Sequence, residues 1–415
     1  MKHRITSSLL ILCTGVGSLF AQPGNGIRLG QQLVLTPEVT GSYNYNDNVN
    51  LRRRALDEGG ELLDENESDS FLSSGASLLG RYWNDSTQWN GNAWLNNRTY
   101  DKNSNLDSDN YGGSVGFFWT RPQAKTTFKS DVSYQNAIDR TEISRDFVGD
   151  SDLTPELENV AERVKREEVR TNFTLSQRIT DPLRATINYG FVDIAYDNER
   201  YSDRTSYQYA GELSYQVSER TQAYGKAGLG IDDDEGLEDD AEKPYYLVGV
   251  RYSPTPKLDI DASIGQETFK RTPIGEEELE DTTTKWAASL TWAASAKSRI
   301  MLNGRTGFGS VASPGSSSRE EISASLAWQH QTTRQISQRL SVAWREDDYL
   351  TPLPARGSEY DELKETLWYQ YRIDYQTPRP WLSLFGQASF EDGSSRIPGD
   401  SYTETQFTVG LSARY

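Results

Sequence analysis

From Thr403 to the end of the chain, apolar and polar positions alternate without a break. Thr403, Thr405, Phe407, Val409, Leu411, Ala413 and Tyr415 fall on one face, and Glu404, Gln406, Thr408, Gly410, Ser412 and Arg414 on the other. A repeat of two is the period of a β-strand, whose successive side chains point to opposite sides. The same alternation recurs along the chain. It predicts strands near residues 32–47, 70–83, 88–100, 110–120, 125–138, 167–179, 184–197, 205–217, 221–232, 244–252, 258–270, 283–294, 298–310, 320–331, 338–348, 363–375, 381–391 and 401–415. That makes about eighteen strands, or sixteen if two of the shorter ones are discounted.

The connections alternate in length. Short turns are expected at 84–87, 121–124, 180–183, 218–220, 253–257, 295–297, 332–337 and 376–380, and longer acidic loops at 49–68, 139–166, 233–243, 272–282 and 349–362. Short turns at one end and long loops at the other are the pattern of outer-membrane barrels, and a sandwich gives no reason for it. The expected fold is therefore all-β: a transmembrane antiparallel up-and-down β-barrel of outer-membrane type. An even strand number lets the first strand pair with the last, so that no backbone edge is left unpaired in hydrocarbon. Both termini then lie on the periplasmic side.

The chain termini carry matching signals. A last amphipathic strand ending on an aromatic residue resembles the signal by which outer-membrane barrels reach their assembly machinery, carried here by Phe407, Val409, Leu411, Ala413 and Tyr415. Lys2, His3 and Arg4 followed by an apolar stretch to Phe20 and a small residue at Ala21 predict a signal peptide over 1–21. The expected organisation is that leader, a short periplasmic segment at 22–31 and a barrel over 32–415. Cys13 lies in the leader, so disulfide and thiolate chemistry are not expected in the mature chain.

Composition narrows the picture further. Mean hydropathy is −0.72, and no run approaches the roughly 18 apolar residues of a spanning helix. The 23 Tyr and 10 Trp suit interfacial belts. Trp83, Trp89, Trp119, Trp292, Trp328 and Trp381 adjoin short turns, and Tyr45, Tyr111, Tyr134, Tyr207 and Tyr246 lie towards the long loops. A net charge of −18 argues against nucleic acid as a partner, because phosphates would be repelled.

If the apolar parity faces lipid, the other parity lines a lumen. The candidate pore-lining cations are Arg81, Arg98, Lys129, Arg170, Lys226, Arg251, Arg305, Arg345 and Arg372, and the candidate acids are Asp131, Glu212, Asp259, Asp261, Glu267, Asp374 and Glu404. Facing rows of opposite sign would set a transverse field. Cross-strand pairing would instead hold the wall together and keep it wet. The loop 139–166, with a helical look at 155–166, would narrow the pore if folded inward.

Catalytic and metal chemistry is poorly supplied. His330 is the single histidine left after the leader, and it shares the lipid parity of Trp328 beside a short turn, which predicts a structural role. No enzyme activity, cofactor or metal is expected. The run Asp232, Asp233, Asp234, Glu235, Glu238, Asp239 and Asp240 departs from the calcium-loop spacing, so loose divalent binding competes with a plain solvated loop. Asp57, Glu58, Glu61, Asp64, Glu65 and Glu67, which follow Arg52, Arg53 and Arg54, have the same status. Gly225, Gly228 and Gly230 precede no helix, which excludes a phosphate loop.

The first strand, with Leu35-Thr36-Pro37-Glu38-Val39 and then Gly41-Ser42-Tyr43-Asn44-Tyr45-Asn46-Asp47-Asn48-Val49, resembles the opening of a family of outer-membrane β-barrel porins, some of them associated with exopolysaccharide export. That resemblance implies a passive channel for small hydrophilic or charged solutes, or a conduit for a secreted glycan. The alternative is a non-conducting structural or adhesion barrel with acidic surface loops. Expected partners are outer-membrane lipid and lipopolysaccharide, the assembly machinery and, through the resemblance, polysaccharide.

Overall fold

The structure is a computed structural model that describes residues 26–49, 55–56, 62–63, 68–121, 123, 125–138, 165–197, 203–234, 241–271, 279–309, 319–349, 363–395 and 401–415. The expected leader lies outside them. So do most of the long acidic loops, including 139–164, the Arg52 to Arg54 run and residues 235–240.

Eighteen long strands form one closed antiparallel barrel: β1 (Leu33–Asn46), β2 (Asp69–Trp83), β3 (Thr87–Tyr100), β4 (Ser108–Arg121), β5 (Thr126–Ala137), β6 (Arg166–Arg178), β7 (Leu183–Tyr196), β8 (Arg204–Ser218), β9 (Thr221–Asp234), β10 (Ala241–Thr255), β11 (Leu258–Arg271), β12 (Leu279–Ser295), β13 (Ser298–Gly309), β14 (Arg319–Gln331), β15 (Ile336–Tyr349), β16 (Leu363–Gln376), β17 (Leu382–Ser395) and β18 (Tyr402–Arg414). Each pairs with the next in the chain, and β18 returns to β1 in the register Glu38↔Arg414 to Asn46↔Gln406. A short strand at Ile27–Leu29 folds back on Leu33–Leu35 within the expected lead-in segment, and Ala55–Leu56 pairs with Leu62–Leu63 between β1 and β2.

The seam between β1 and β18 shows what the Tyr-Asn-Asp-Asn run does. At its loop end Asp47 Oδ1 accepts the Thr405 amide at 2.6 Å, Asn48 Nδ2 donates to the Thr403 carbonyl at 2.9 Å, and Asn46 Nδ2 donates to Glu404. Below them Thr408 Oγ1 donates to Asn44 Oδ1 at 2.8 Å. At the other end Arg414 bonds Glu38 at 2.7 and 3.0 Å, and the Tyr415 amide reaches the Pro37 carbonyl at 3.0 Å. The seam is the ladder with the greatest separation along the chain, so its closure carries the largest loop-closure entropy. Side-chain bonds at both ends offset that entropy and hold the register.

The outer face reads as a belt. On β10 it runs Tyr246, Val248, Val250, Tyr252, all exposed, with aromatics flanking aliphatics. On β18 it carries Phe407, Val409 and Leu411, with Val409 at 63 % exposure, and Tyr415 follows the strand's end. So much exposed apolar surface is untenable in water and natural in a bilayer. Trp89, Trp119, Trp292 and Trp328 lie on this face near the short turns, and Tyr45, Tyr111, Tyr134, Tyr207 and Tyr246 on the loop side. Trp83 departs from the expected belt: it follows Arg81 on the inner parity at the end of β2. Above the belt, on the loop side, the same face carries Asp109, Glu167, Glu242, Glu320 and Glu346. That carboxylate collar marks where hydrocarbon must end, because ionised groups on the lipid face cost more the deeper they lie.

Candidate functional site: the inner wall of the barrel

Period-two alternation puts the parity opposite the apolar belt on the inside. Arg81, Arg98, Lys129, Arg170, Lys226, Arg251, Arg305, Arg345 and Arg372 all stand on that parity, with Asp131, Glu212, Asp259, Asp261, Glu267, Asp374 and Glu404. Phe407, Val409, Leu411, Ala413 and Tyr415 stand on the other.

Many of the inner ions meet an opposite charge on the same or a nearby strand. The best-formed group centres on Arg251 of β10. Its Nη1 and Nη2 donate to Glu212 of β8 at 2.7 and 2.8 Å, a bidentate fork that reaches across β9, and its Nε donates to Asp261 of β11 at 3.0 Å. The Tyr224 ring lies 4.2 Å from the guanidinium, and its hydroxyl donates to Asp261 at 2.7 Å. Arg251 is thus a fixed knot tying four strands, because the planar guanidinium donates in a rigid fork.

On the loop side the inner wall is denser. Asp347 receives Arg319 at 2.9 Å and Arg345 at 3.0 Å and is fully buried. Glu168, 1 % exposed, is gripped by Arg166 at 3.3 Å, by Arg170, and by Gln135 Nε2 at 2.9 Å. Glu267 takes Lys285 at 2.5 Å and the Phe308 amide at 2.8 Å, and Asp232 takes Lys243. Buried pairs of this kind roughly break even against their desolvation, so they contribute shape more than stability. Arg305 meets Glu321 at 3.2 Å, Arg372 meets Asp374 at 2.8 Å, and Asp259 accepts the Ser253 hydroxyl at 2.6 Å. Glu404 bonds Asn46, Arg98 lies 5.5 Å from the centre of the Phe71 ring, and Asp131 sits beside Gly116.

Inner aromatics lie flat against the wall. Trp94 covers Gly112, Tyr224 covers Gly249, Tyr245 covers Gly228, Phe385 covers Gly410 and Tyr402 covers Gly393, each a directly paired residue on a neighbouring strand. A side chain on any of these glycines would meet the ring within 3.0 Å. Glycine supplies the recess that keeps the ring out of the bore.

Sequence reasoning overlooked Lys285, Arg319, Glu321, Asp347, Glu168 and Arg184, which occupy the same parity; all but Arg319 lie within the expected strands, and Arg319 one residue before one, so following each inner parity to the strand's ends would have reached them. Of the acidic run at 232–240, Asp232 points inward to Lys243, and no group of metal-ligating side chains occurs among the described residues. His330 stacks on Trp328 at 5.5 Å on the outer face and shares a 2.7 Å hydrogen bond between Nδ1 and the Ser298 hydroxyl.

The family model described as Putative beta-barrel porin 2 matches residues 122–415. A comparison with curated proteins returned no match. Among solved structures, outer membrane protein opdK from Pseudomonas aeruginosa is 10 % identical with a TM-score of 0.46, covering 92 % of this chain and 99 % of that one. Acinetobacter baumannii OccAB4 is 13 % identical at 0.45, covering 94 % and 100 %. The FrpB iron transporter from Neisseria meningitidis is 8 % identical at 0.46, covering 93 % and 83 %. Overlap of this quality says nothing of what passes through a barrel.

Proposed function

Because this chain belongs to the Putative beta-barrel porin 2 family, we propose that it is a passive channel of the bacterial outer membrane for small hydrophilic solutes, with anions favoured. One observation carries the preference. Among the described strand residues, Arg and Lys outnumber Asp and Glu on the inner face, although the chain as a whole is acidic. Water in the bore lies within about 10 Å of that wall, the screening length at ordinary salt, so passing ions sense the inner charge before the loops.

The short turns then face the periplasm with both termini. The carboxylate collar and acidic loops face the lipopolysaccharide side, and Phe407 to Tyr415 address the assembly machinery. The family match does not extend to a glycan conduit.

The test is single-channel recording of residues 22–415 refolded into planar bilayers. Large steady openings are expected, with a reversal potential in a potassium chloride gradient on the chloride side. Silence from a folded, inserted barrel would defeat the channel reading in favour of a non-conducting surface barrel. A potassium-side reversal would defeat the anion preference alone.

A further inference from the structure

One stretch of the inner wall is hollowed. Between β7, β8, β9 and β10 a polar recess of about 350 Å³ opens to the bore, at the lower end of the size range of small-molecule sites. Its floor is the fixed knot: both Glu212 oxygens accept from Arg251, which also donates to Asp261 and, at 3.2 Å, to Gln222. Two further cations border it without such a partner.

Lys226 stands directly opposite Glu212 in the register, yet both carboxylate oxygens are turned to Arg251. Arg184 is paired across the ladder with Arg178 on one side and Ser214 on the other, so its nearest charged cross-strand neighbour is a cation. Like charges directly opposite are unfavourable in a sheet. Asn188 Oδ1 accepts from Thr174 at 2.9 Å, which fixes its amide and leaves the Nδ2 hydrogens for the recess. Positive charge is therefore held beside a volume with a polar lining, which is complementary to an anion.

We propose that this recess is a binding subsite for small organic anions, solutes with a carboxylate or phosphate group beside hydroxyls, gripped by Arg184 and Lys226 and oriented by Asn188. The proposal rests on the channel reading for its purpose. Its chemistry is independent of conduction. Arg184 gives a planar fork, Lys226 a point charge, and Asn188 a neutral partner for hydroxyls. The Arg251 knot holds Glu212, the carboxylate directly opposite Lys226 in the register.

The experiment has two arms on the full mature chain. Calorimetric titration of the detergent-folded barrel uses glucuronate, glucose 1-phosphate and, as the neutral control, glucose. Binding of one or both anions and none of glucose is expected, and which anion binds distinguishes carboxylate from phosphate. Arg184→Gln with Lys226→Gln weakens binding by about tenfold or more, the loss expected for a charge-assisted hydrogen bond. Lys257→Gln, in an exposed turn, leaves it unchanged. In bilayers the same anions produce concentration-dependent current blockades that the double variant shortens. Absence of anion binding, or equal loss in Lys257→Gln, overturns the subsite even if the channel conducts. Binding without conduction keeps the subsite and removes the channel.

Discussion

Replacing Gly249 by alanine tests how the bore is kept clear. An added Cβ would lie 2.3 Å from Tyr224 Cζ and 2.5 Å from its hydroxyl, more than 1 Å inside contact distance. The backbone of β10 is held by ladders on both sides, and the obstructing atoms are the far end of a side chain, so the ring moves and the strand does not. With the wall behind it, the ring can lift only into the lumen. Lifting breaks the 2.7 Å bond from the hydroxyl to Asp261 and the 4.2 Å stacking on Arg251. A hydrogen bond to a charged group contributes about 1.5–3 kcal/mol and an exposed cation–π contact about 0.5–1 kcal/mol, so a loss of about 2–4 kcal/mol is expected. Reversible urea unfolding in lipid vesicles measures that loss, and single-channel recording should show reduced conductance. Tyr224→Ala in the Gly249→Ala background removes the intruding ring, which restores conductance without restoring stability. Unchanged conductance in Gly249→Ala, or conductance still reduced in the double variant, would refute the reasoning.

Other outcomes follow from the seam, the chain end, the turns and the outer face. Asp47→Ala leaves the Thr405 amide without its 2.6 Å acceptor and should lower urea stability by about 1–3 kcal/mol, as for an unsatisfied donor. Tyr415→Ala should reduce the amount of assembled barrel in cells, scored by heat-modifiable mobility, while refolding of purified chain in detergent stays near normal; equal loss in both assays would rule against a delivery signal. In the short turn at 179–182 the hydrogen bond and charge of Lys125, 2.5 Å away, hold the Asp181 carboxyl below its usual range. Because the folded value is lowered, its stabilisation is present above about pH 4 and disappears as pH falls through that folded value. Asp181→Asn should therefore be slightly less stable than wild type at pH 7, with urea midpoints converging at lower pH. His330→Ala should leave conductance and ion selectivity unchanged, since the side chain packs on Trp328 outside the barrel.

Strand count, face parity and the alternation of short and long connections were all legible in the linear pattern. Each depends on backbone period and local turn length, which neighbours in sequence determine. That is why Arg251, Glu212, Asp261 and Lys226 could be assigned to one face before any pairing was known. Their combination could not be read that way. Glu212 and Arg251 are 39 residues apart and meet across an intervening strand, because the closed sheet curves inward and brings next-but-one neighbours into reach. The same holds for Trp83, which sits beside a short turn like the belt tryptophans yet falls on the inner parity. It holds too for Asp47 and Asn48, whose partners lie at the opposite end of the chain. Glycines such as Gly249 and Gly228 read along the chain as plain breaks in a strand, and only cross-strand register shows them to be seats for Tyr224 and Tyr245. Periodicity is a one-dimensional property, whereas charge pairing, ring seating and the recess at Arg184 require the ladder, which places residues far apart in sequence about 5 Å from one another.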